Sequence, residues 1–405
     1  MKRSIIDGFS KVLRAGAVAA AAALASSVAV AADTIKVALI IIDSGPFAPF
    51  MRSVVDPAKL AVDLLNAQGG AAGKKFELVI QSHAGTPAAA VAAATRAVQQ
   101  EGAEFVMGWM TSSIGLALGP RMAGMNAVVI DPVSNAADIT GKGCQPNYFR
   151  TSSNEIMVGN AIRAMLKRSG AKTWSVLAAD YAAGHGFSKQ VNAAVAEHGD
   201  TMQQTLFAPL GTTDFGSFIS QLSAKPTEGL AVSIFGSDAI ALAKQQQQFG
   251  LFTKYKTVVS WGFTDEITVG AQGDSTVGVY STQSWSSTLP GAKVAAFTQA
   301  FEGRYQRRPN YVEADVFATF ELLQAAANKA GSADVAAVRT ALNGLKMNGI
   351  LGDVEMRGAD HQLVRPIVVV QIVKGPDGKG VAAVRSVEPG LSVSPTANPE
   401  CKLPS

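Results

Sequence analysis

One run constrains this chain more than any other feature: Ile35-Lys36-Val37-Ala38-Leu39-Ile40-Ile41-Ile42, closing on Asp43-Ser44-Gly45-Pro46. Eight residues carrying a single charge are too apolar for a strand with one solvated face. They predict a strand buried on both sides, as found in parallel sheets covered by helices. The chain then keeps the beat that such a sheet requires. Leu60, Ala61, Leu64 and Leu65 recur at helical spacing behind Asp56 and Pro57, which suit an N-cap and first helical position, and Gly69-Gly70 ends the helix. Residues 76–80 read as strand, 87–100 as an Ala-rich helix, 105–107 as strand, 114–122 as helix and 127–130 as strand. Strands alternating with helices at this spacing make an α/β layer structure.

Near Tyr148-Phe149-Arg150-Thr151 the rhythm pauses and starts again. Helices are predicted over 156–168, 186–198, 218–224 and 238–249, with strands over 173–178, 229–235, 256–260 and 278–281. Long amphipathic helices at 294–305 and 312–329 and a β-branched strand at 364–373 follow. A chain of 405 residues exceeds one ordinary core. Two α/β series joined by extended segments therefore predict two lobes with a hinge.

Residues 1–32 read as an export signal rather than part of the fold. Lys2, Arg3, Lys11 and Arg14 make a positive start, 15–25 is Ala-rich and apolar, and Ala29-Val30-Ala31 has the small-x-small pattern of a cleavage site. The alternative, a membrane anchor, is disfavoured because Ala with Ser26 and Ser27 partitions weakly into lipid. The expected location is the periplasm. In that oxidising compartment Cys144 and Cys401 predict one long-range disulfide that ties back a tail over 391–405.

Reaction chemistry is hard to find. The four histidines, His83, His185, His198 and His361, lack metal-ligand spacing. Gly69-Gly70-Ala71-Ala72-Gly73-Lys74-Lys75 is one residue short of a phosphate loop and follows a helix, so it reads as a turn. His361 reads as structural or surface, and Asp265-Glu266 as a solvated helix start. The net charge of +4 is unclustered, so no nucleic-acid partner is expected, and no cofactor is implied. These observations predict a binding protein rather than an enzyme.

In open α/β sheets ligands bind beyond the carboxyl ends of the strands. Those ends carry Phe47 and Phe50, then Trp109, Thr111, Ser112 and Ser113 opening a helix, then Val133, Ser134 and Asn135. Hydroxyls and free N–H groups at a helix start suit a carboxylate.

Several segments, in this order and spacing, resemble the periplasmic binding proteins of the leucine/isoleucine/valine type, which serve ABC importers. They are Ile35-Lys36-Val37-Ala38 with Ser44-Gly45-Pro46, Asn66-Ala67-Gln68-Gly69-Gly70, Gly108 through Ser113, Asp180-Tyr181-Ala182-Ala183-Gly184 and Phe235-Gly236-Ser237-Asp238. The resemblance runs from about 35 to 373. It implies a type I periplasmic binding fold: two Rossmann-like lobes with parallel central sheets, a three-crossing hinge and a ligand in the cleft. The implied lobes are 33–150 with 283–360, and 151–282 with 361–390. The implied partners are a small carboxylate-bearing ligand and the permease subunits of an ABC importer, with the binding protein a monomer.

Carried over by resemblance, Phe50 lies against the ligand and Ser112 with nearby backbone holds its carboxylate. Val133 and Asn135 assist, and Phe235 adds an aromatic from the second lobe. Tyr181, Gly236, Asp238 and Gly262 complete the candidate set. Two positions depart from the family pattern. Ala183 stands where an aromatic is frequent, and Ser260-Trp261-Gly262-Phe263 stands where amino-acid binders place an acid. An ammonium without its countercharge in a buried cleft costs several kcal/mol. Trp261, Phe263, Phe50 and Trp109 therefore point to an aromatic acid. A branched-chain or other amino acid, its ammonium taken by Asp238 or Asp265, is the alternative, as is a ligand sensor acting through a receptor.

Overall fold

In a computed structural model describing residues 34–45, 47–394 and 396–403, the opening apolar run is a central strand, β1 (Ile35–Ile42). The export signal expected over 1–32 and Pro46 lie outside the described residues. The chain continues through α1 (Arg52–Ala67), β2 (Phe76–His83), α2 (Pro87–Gln99), β3 (Phe105–Met107), α3 (Ser112–Ala123), β4 (Val128–Asp131) and β5 (Tyr148–Arg150). It then crosses to a second sheet through α4 (Glu155–Ser169), β6 (Thr173–Ala179), α5 (Ala182–Glu197), β7 (Thr201–Ala208), α6 (Gly216–Ala224) and β8 (Gly229–Ser233). That half continues with α7 (Gly236–Gln248), β9 (Thr257–Trp261), α8 (Val269–Gln272) and β10 (Tyr280–Gln283). The return brings α9 (Ala292–Tyr305), α10 (Tyr311–Ala330), α11 (Val335–Leu342), β11 (Lys346–Gly349), β12 (Gly352–Arg357) and β13 (Gln362–Val364) to the first sheet. A last crossing gives β14 (Ile367–Lys374), β15 (Gly380–Glu388) and α12 (Gly390–Val393) to the second.

The strand orders are β11-β12-β13-β5-β4-β3-β1-β2 and β15-β14-β10-β9-β8-β6-β7. Both are parallel at their centres, with Val37 opposite Leu78 and Phe105, and Val176 opposite Ala231. Both are mixed at one end, where β11, β12 and β13 pair antiparallel, as do β10, β14 and β15. The first lobe has one core around Leu39, Phe105, Val129 and Phe320. The second lobe's sheet is covered on both faces, one core built on Trp174 and Phe187 and the other on Leu177, Phe215 and Phe263.

Three local expectations change. First, α1 begins at Arg52, a turn before Asp56, and Pro57 lies inside it. A 3₁₀ turn over Ala48–Phe50 already sets the helical path, with Val54 and Val55 N–H groups bonded to the Met51 carbonyl. Pro57 forgoes one backbone bond, while Asp56 pairs with Arg307 at 2.9 Å instead of capping. Second, the strand expected over 364–373 is divided at Arg365-Pro366, since Pro366 has no N–H for a ladder. Gln362–Val364 thus belongs to the first sheet, and a lobe boundary at 360/361 falls one strand early. Third, the polar segment Thr201–Ala208 is an edge strand, a position where exposed Gln203 and its neighbours need no apolar run. The turn at 69–75 is as expected: at Gly70 (φ +80) a Cβ would sit 1.9 Å from the Lys74 carbonyl oxygen, so only glycine fits.

Cys144 and Cys401 form a disulfide that closes a separation of 257 residues. Asn398 N–H also donates to Asp360 at 2.9 Å, anchoring the tail on the first lobe. Reducing the bridge is expected to lower unfolding free energy by about 2–5 kcal/mol. Ligand affinity should hold, because the bridge lies away from the cleft. Urea denaturation and ligand titration with and without reductant check this; an affinity change at constant stability would contradict it.

The crossings are bonded to one another. Arg365, fully buried in the third, donates to the Thr151 carbonyl of the first at 3.1 Å and the Ser284 carbonyl of the second at 2.8 Å. It also pairs with Asp315 of α10 at 2.7 Å. Gln362 accepts from Arg150 at 2.7 Å and donates to the Ser152 carbonyl at 2.8 Å. No helix among the described residues is long and apolar enough to cross a membrane, and none of their His, Cys, Asp and Glu side chains cluster as a metal site.

Candidate functional site

The carboxyl ends of β3 and β4 in one lobe face those of β6, β8 and β9 in the other across a cavity. It encloses about 60 Å³, room for roughly four to six waters. A ligand of that size is one ring or one amino acid. Met110, Val133, Asn135 and Phe47 line it from the first lobe. Tyr181, Phe235 and Trp261 line it from the second, and Gln283, Ser284, Tyr311 and Asp315 close the hinge side.

The second-lobe wall is an aromatic cluster. Phe235 stands edge-on to Trp261 (centroids 5.3 Å, 88°) and to Tyr181 (5.6 Å, 80°), and Phe187 packs behind Trp261 at 6.0 Å. Gly262 makes this possible. Its φ is +71°, and a Cβ there would lie 2.1 Å from the Phe235 ring. Gly262 thus shapes the wall without lining the cavity.

The loop after β4 differs from the open cradle expected. The Asp131 carboxylate accepts the N–H groups of Val133 (3.0 Å) and Ser134 (2.9 Å), and also the Tyr148 hydroxyl. Ser112 Oγ accepts those of Asn135 (3.2 Å) and Ala136 (3.1 Å), and Glu155 that of Ala137 at 2.5 Å. Five consecutive donors are therefore satisfied within the protein, and Ser112 positions the loop. Thr111 remains: beside Met110 and flanking the start of α3, its buried Oγ1 has no partner among the described residues.

Of the sequence-derived set, Val133, Asn135, Tyr181, Phe235 and Trp261 line the cavity; the others do not. Phe50 is one 3₁₀ turn beyond Phe47, which takes the aromatic position. Trp109 is fully buried and donates its indole N–H to Ser134 Oγ at 2.8 Å, which withdraws both from the cleft. Ser113 is exposed on α3, and Ala183 packs in the core under α5. Gly236 and Asp238 open α7, where Asp238 accepts from Gly211 N–H at 2.7 Å. Phe263 faces the opposite core, against Phe252 at 5.6 Å.

Asp265 is not solvated, contrary to the sequence reading. It is buried, accepts the N–H groups of Ile267 (2.8 Å) and Thr268 (3.2 Å), and holds the Tyr311 hydroxyl at 3.0 Å. Tyr311 is thereby fixed at the cavity wall. Burial pushes the Glu266 carboxyl up to about 7, against a 2.7 Å bond from Ser286. His361 is structural, stacked on Phe149 at 4.1 Å with Nδ1 3.1 Å from the Tyr148 carbonyl.

Sequence reading missed Met110, Tyr311, Gln283, Ser284 and Asp315. The helix expected over 312–329 is present and is capped by Asn310 with Glu313, but only the second crossing brings its start to the cleft. Asp315 is buried against Arg365, and burial raises its carboxyl above the usual range despite that partner.

Glu155, the first residue of α4, bridges to the first lobe, and burial pushes it from 4.5 to about 7. A carboxyl raised on folding holds a proton that the unfolded chain has lost. Its contribution falls as pH rises from 4.5 through 7, by up to about 3 kcal/mol. Glu155→Gln keeps an acceptor for Ala137, so it should gain on the wild type between pH 5 and pH 8. Urea denaturation at both values measures the gain; the Glu266 slope persists in both proteins. A constant difference across pH would contradict the shift.

The family model described as periplasmic binding protein matches residues 34–379. The leucine-, isoleucine-, valine-, threonine- and alanine-binding protein of Pseudomonas aeruginosa is 29% identical over 325 residues, covering 78% of this chain and 84% of that protein. Among solved structures, a solute-binding protein of an ABC transporter from Rhodopseudomonas palustris, in complex with 3,4-dihydroxybenzoic acid, superposes with a TM-score of 0.82. It is 21% identical and covers 88% of this chain and 98% of that one. A second from R. palustris, in complex with benzoate, gives a TM-score of 0.78 at 22% identity, covering 87% and 96%. At such identities these structures speak for the fold. The chain belongs to the periplasmic binding protein family, as a type I member of its branched-chain amino acid group.

Proposed function

We propose that this protein captures a small aromatic carboxylic acid between its lobes and delivers it to the permease subunits of an ABC importer. The observation that carries the reading is the ring of Phe47, Tyr181, Phe235, Trp261 and Tyr311 around one small cavity. Desolvated aromatic faces favour a flat apolar body. The carboxylate would approach the α3 start from Met110, the lining residue next to Thr111, whose buried hydroxyl has no partner among the described residues. The proteins that superpose on this one include binders of benzoate and 3,4-dihydroxybenzoic acid. Residues 1–32 would direct the chain to the periplasm, where it acts as a monomer.

An amino acid is the second reading, favoured by Asp315 at the cavity wall and by the named ligands of the Pseudomonas relative. Against it, Arg365 at 2.7 Å and Ser284 at 2.7 Å already engage that carboxylate. A thermal-shift screen of the exported chain against benzoates and aliphatic amino acids decides. A ligand at a hundred times its Kd should stabilise by about 2.7 kcal/mol. Stabilisation by amino acids alone would refute the aromatic reading.

A further inference from the structure

Gln283, the last residue of β10, stands where the second crossing leaves the sheet and lines the cavity while 3% exposed. Its Nε2 donates to the Trp285 carbonyl at 2.8 Å, which fixes which end of the amide is nitrogen. Its Oε1 is buried and has no partner among the described residues. On the same wall Ser284 Oγ donates to Asp315, and Asp315 pairs with Arg365 although its Oδ1 accepts no hydrogen bond among the described residues. The Tyr311 hydroxyl donates to Asp265, and the Glu266 carboxyl shares a side-chain hydrogen bond with Gln283. A buried acceptor left without a donor is costly, and a site that offers one selects the ligand that supplies the missing hydrogen.

We propose that Gln283 is a specificity-determining residue: its Oε1 accepts a hydrogen bond from a hydroxyl or amino group on the hinge-facing end of the ligand, so the protein prefers donor-bearing compounds to isosteres without a donor. The inference rests on the reading of this cavity as the ligand site and narrows the aromatic class to ring-hydroxylated or amino-substituted acids. Gln283 and Ser284 begin the second crossing, so a ligand bonded there engages the hinge segment directly.

The test uses matched series at the 3 and 4 positions of benzoate, bearing hydroxyl, amino or fluorine, with threonine and valine as an aliphatic pair. Affinities are read by calorimetry on wild type, Gln283→Leu and Gln283→Met. Wild type should bind the hydroxyl or amino compound at least about tenfold more tightly than the fluoro compound at the favoured position. Both variants should erase that ratio, chiefly by weakening the hydroxyl and amino compounds, with circular dichroism reporting an intact fold. Equal wild-type binding of hydroxyl and fluoro compounds overturns the proposal, as does a ratio that survives in the variants or a uniform loss across the series. If both variants fail to fold, the wild-type ratios decide. Should benzoates not bind while threonine exceeds valine by a margin that the variants erase, the aromatic reading fails and this one stands. Binding by neither class overturns both.

Discussion

Arg365→Leu is expected to lower the unfolding free energy by about 3–5 kcal/mol, the cost of leaving a buried charge without its partner. Asp315 would lose its 2.7 Å ion pair, and the carbonyls of Thr151 and Ser284 would lose their donor, all in the interior. Arg365→Lys should recover part of this, since a single ammonium cannot serve two carbonyls and a carboxylate in the guanidinium's planar geometry. The double change Arg365→Leu with Asp315→Leu should be milder than Arg365→Leu alone, because it removes both charges together. Urea denaturation at pH 7 measures all three. A loss below about 1 kcal/mol for Arg365→Leu would mean that water replaces the guanidinium, and that the crossings are not held as described. Because one side chain ties three crossings, small-angle scattering should also show a wider spread of lobe separations in the Leu variant.

Trp261→Ala carries the second large effect. Trp261 is 5% exposed, packs on Phe235 and Phe187, and forms part of the cavity wall. Truncation should cost about 3–5 kcal/mol of stability. Ligand affinity should fall by about 30-fold or more, as for other desolvated aromatic anchors. Phe50→Ala supplies the contrast, because Phe50 lies a turn outside the cavity and should change affinity less than about threefold. Titrations of both variants with the best ligand from the screen settle the pair. Reversed magnitudes would return the site to the position that resemblance assigned.

The α/β class and the two-lobe plan were legible because both rest on local pattern. The predominantly apolar runs of β1 and β4 suit burial on both faces, and the helices between them repeat at the spacing a parallel sheet needs. The pairing of Cys144 with Cys401 followed from there being two cysteines. Tyr181, Phe235 and Trp261 were within reach because ligand sites lie at strand carboxyl ends, and these residues sit at or just past the ends of β6, β8 and β9.

What the sequence by itself determined, then, is the set of elements and the ends of the strands around which a ligand must lie. Periodicity and chain reversal act over a few residues, so they are written locally. Only the tertiary structure decided which side chains at those ends face the cleft and which are consumed elsewhere. Trp109 and Ser134 bind each other, Ser112 and Asp131 absorb the loop's N–H groups, and Phe263 turns to the far side of its sheet. Gln283, Tyr311 and Asp315 reach the cavity only because the chain crosses between the lobes three times. A buried polar group takes whichever partner the fold brings near, and that partner can stand anywhere in the chain, as Arg365 does for Thr151.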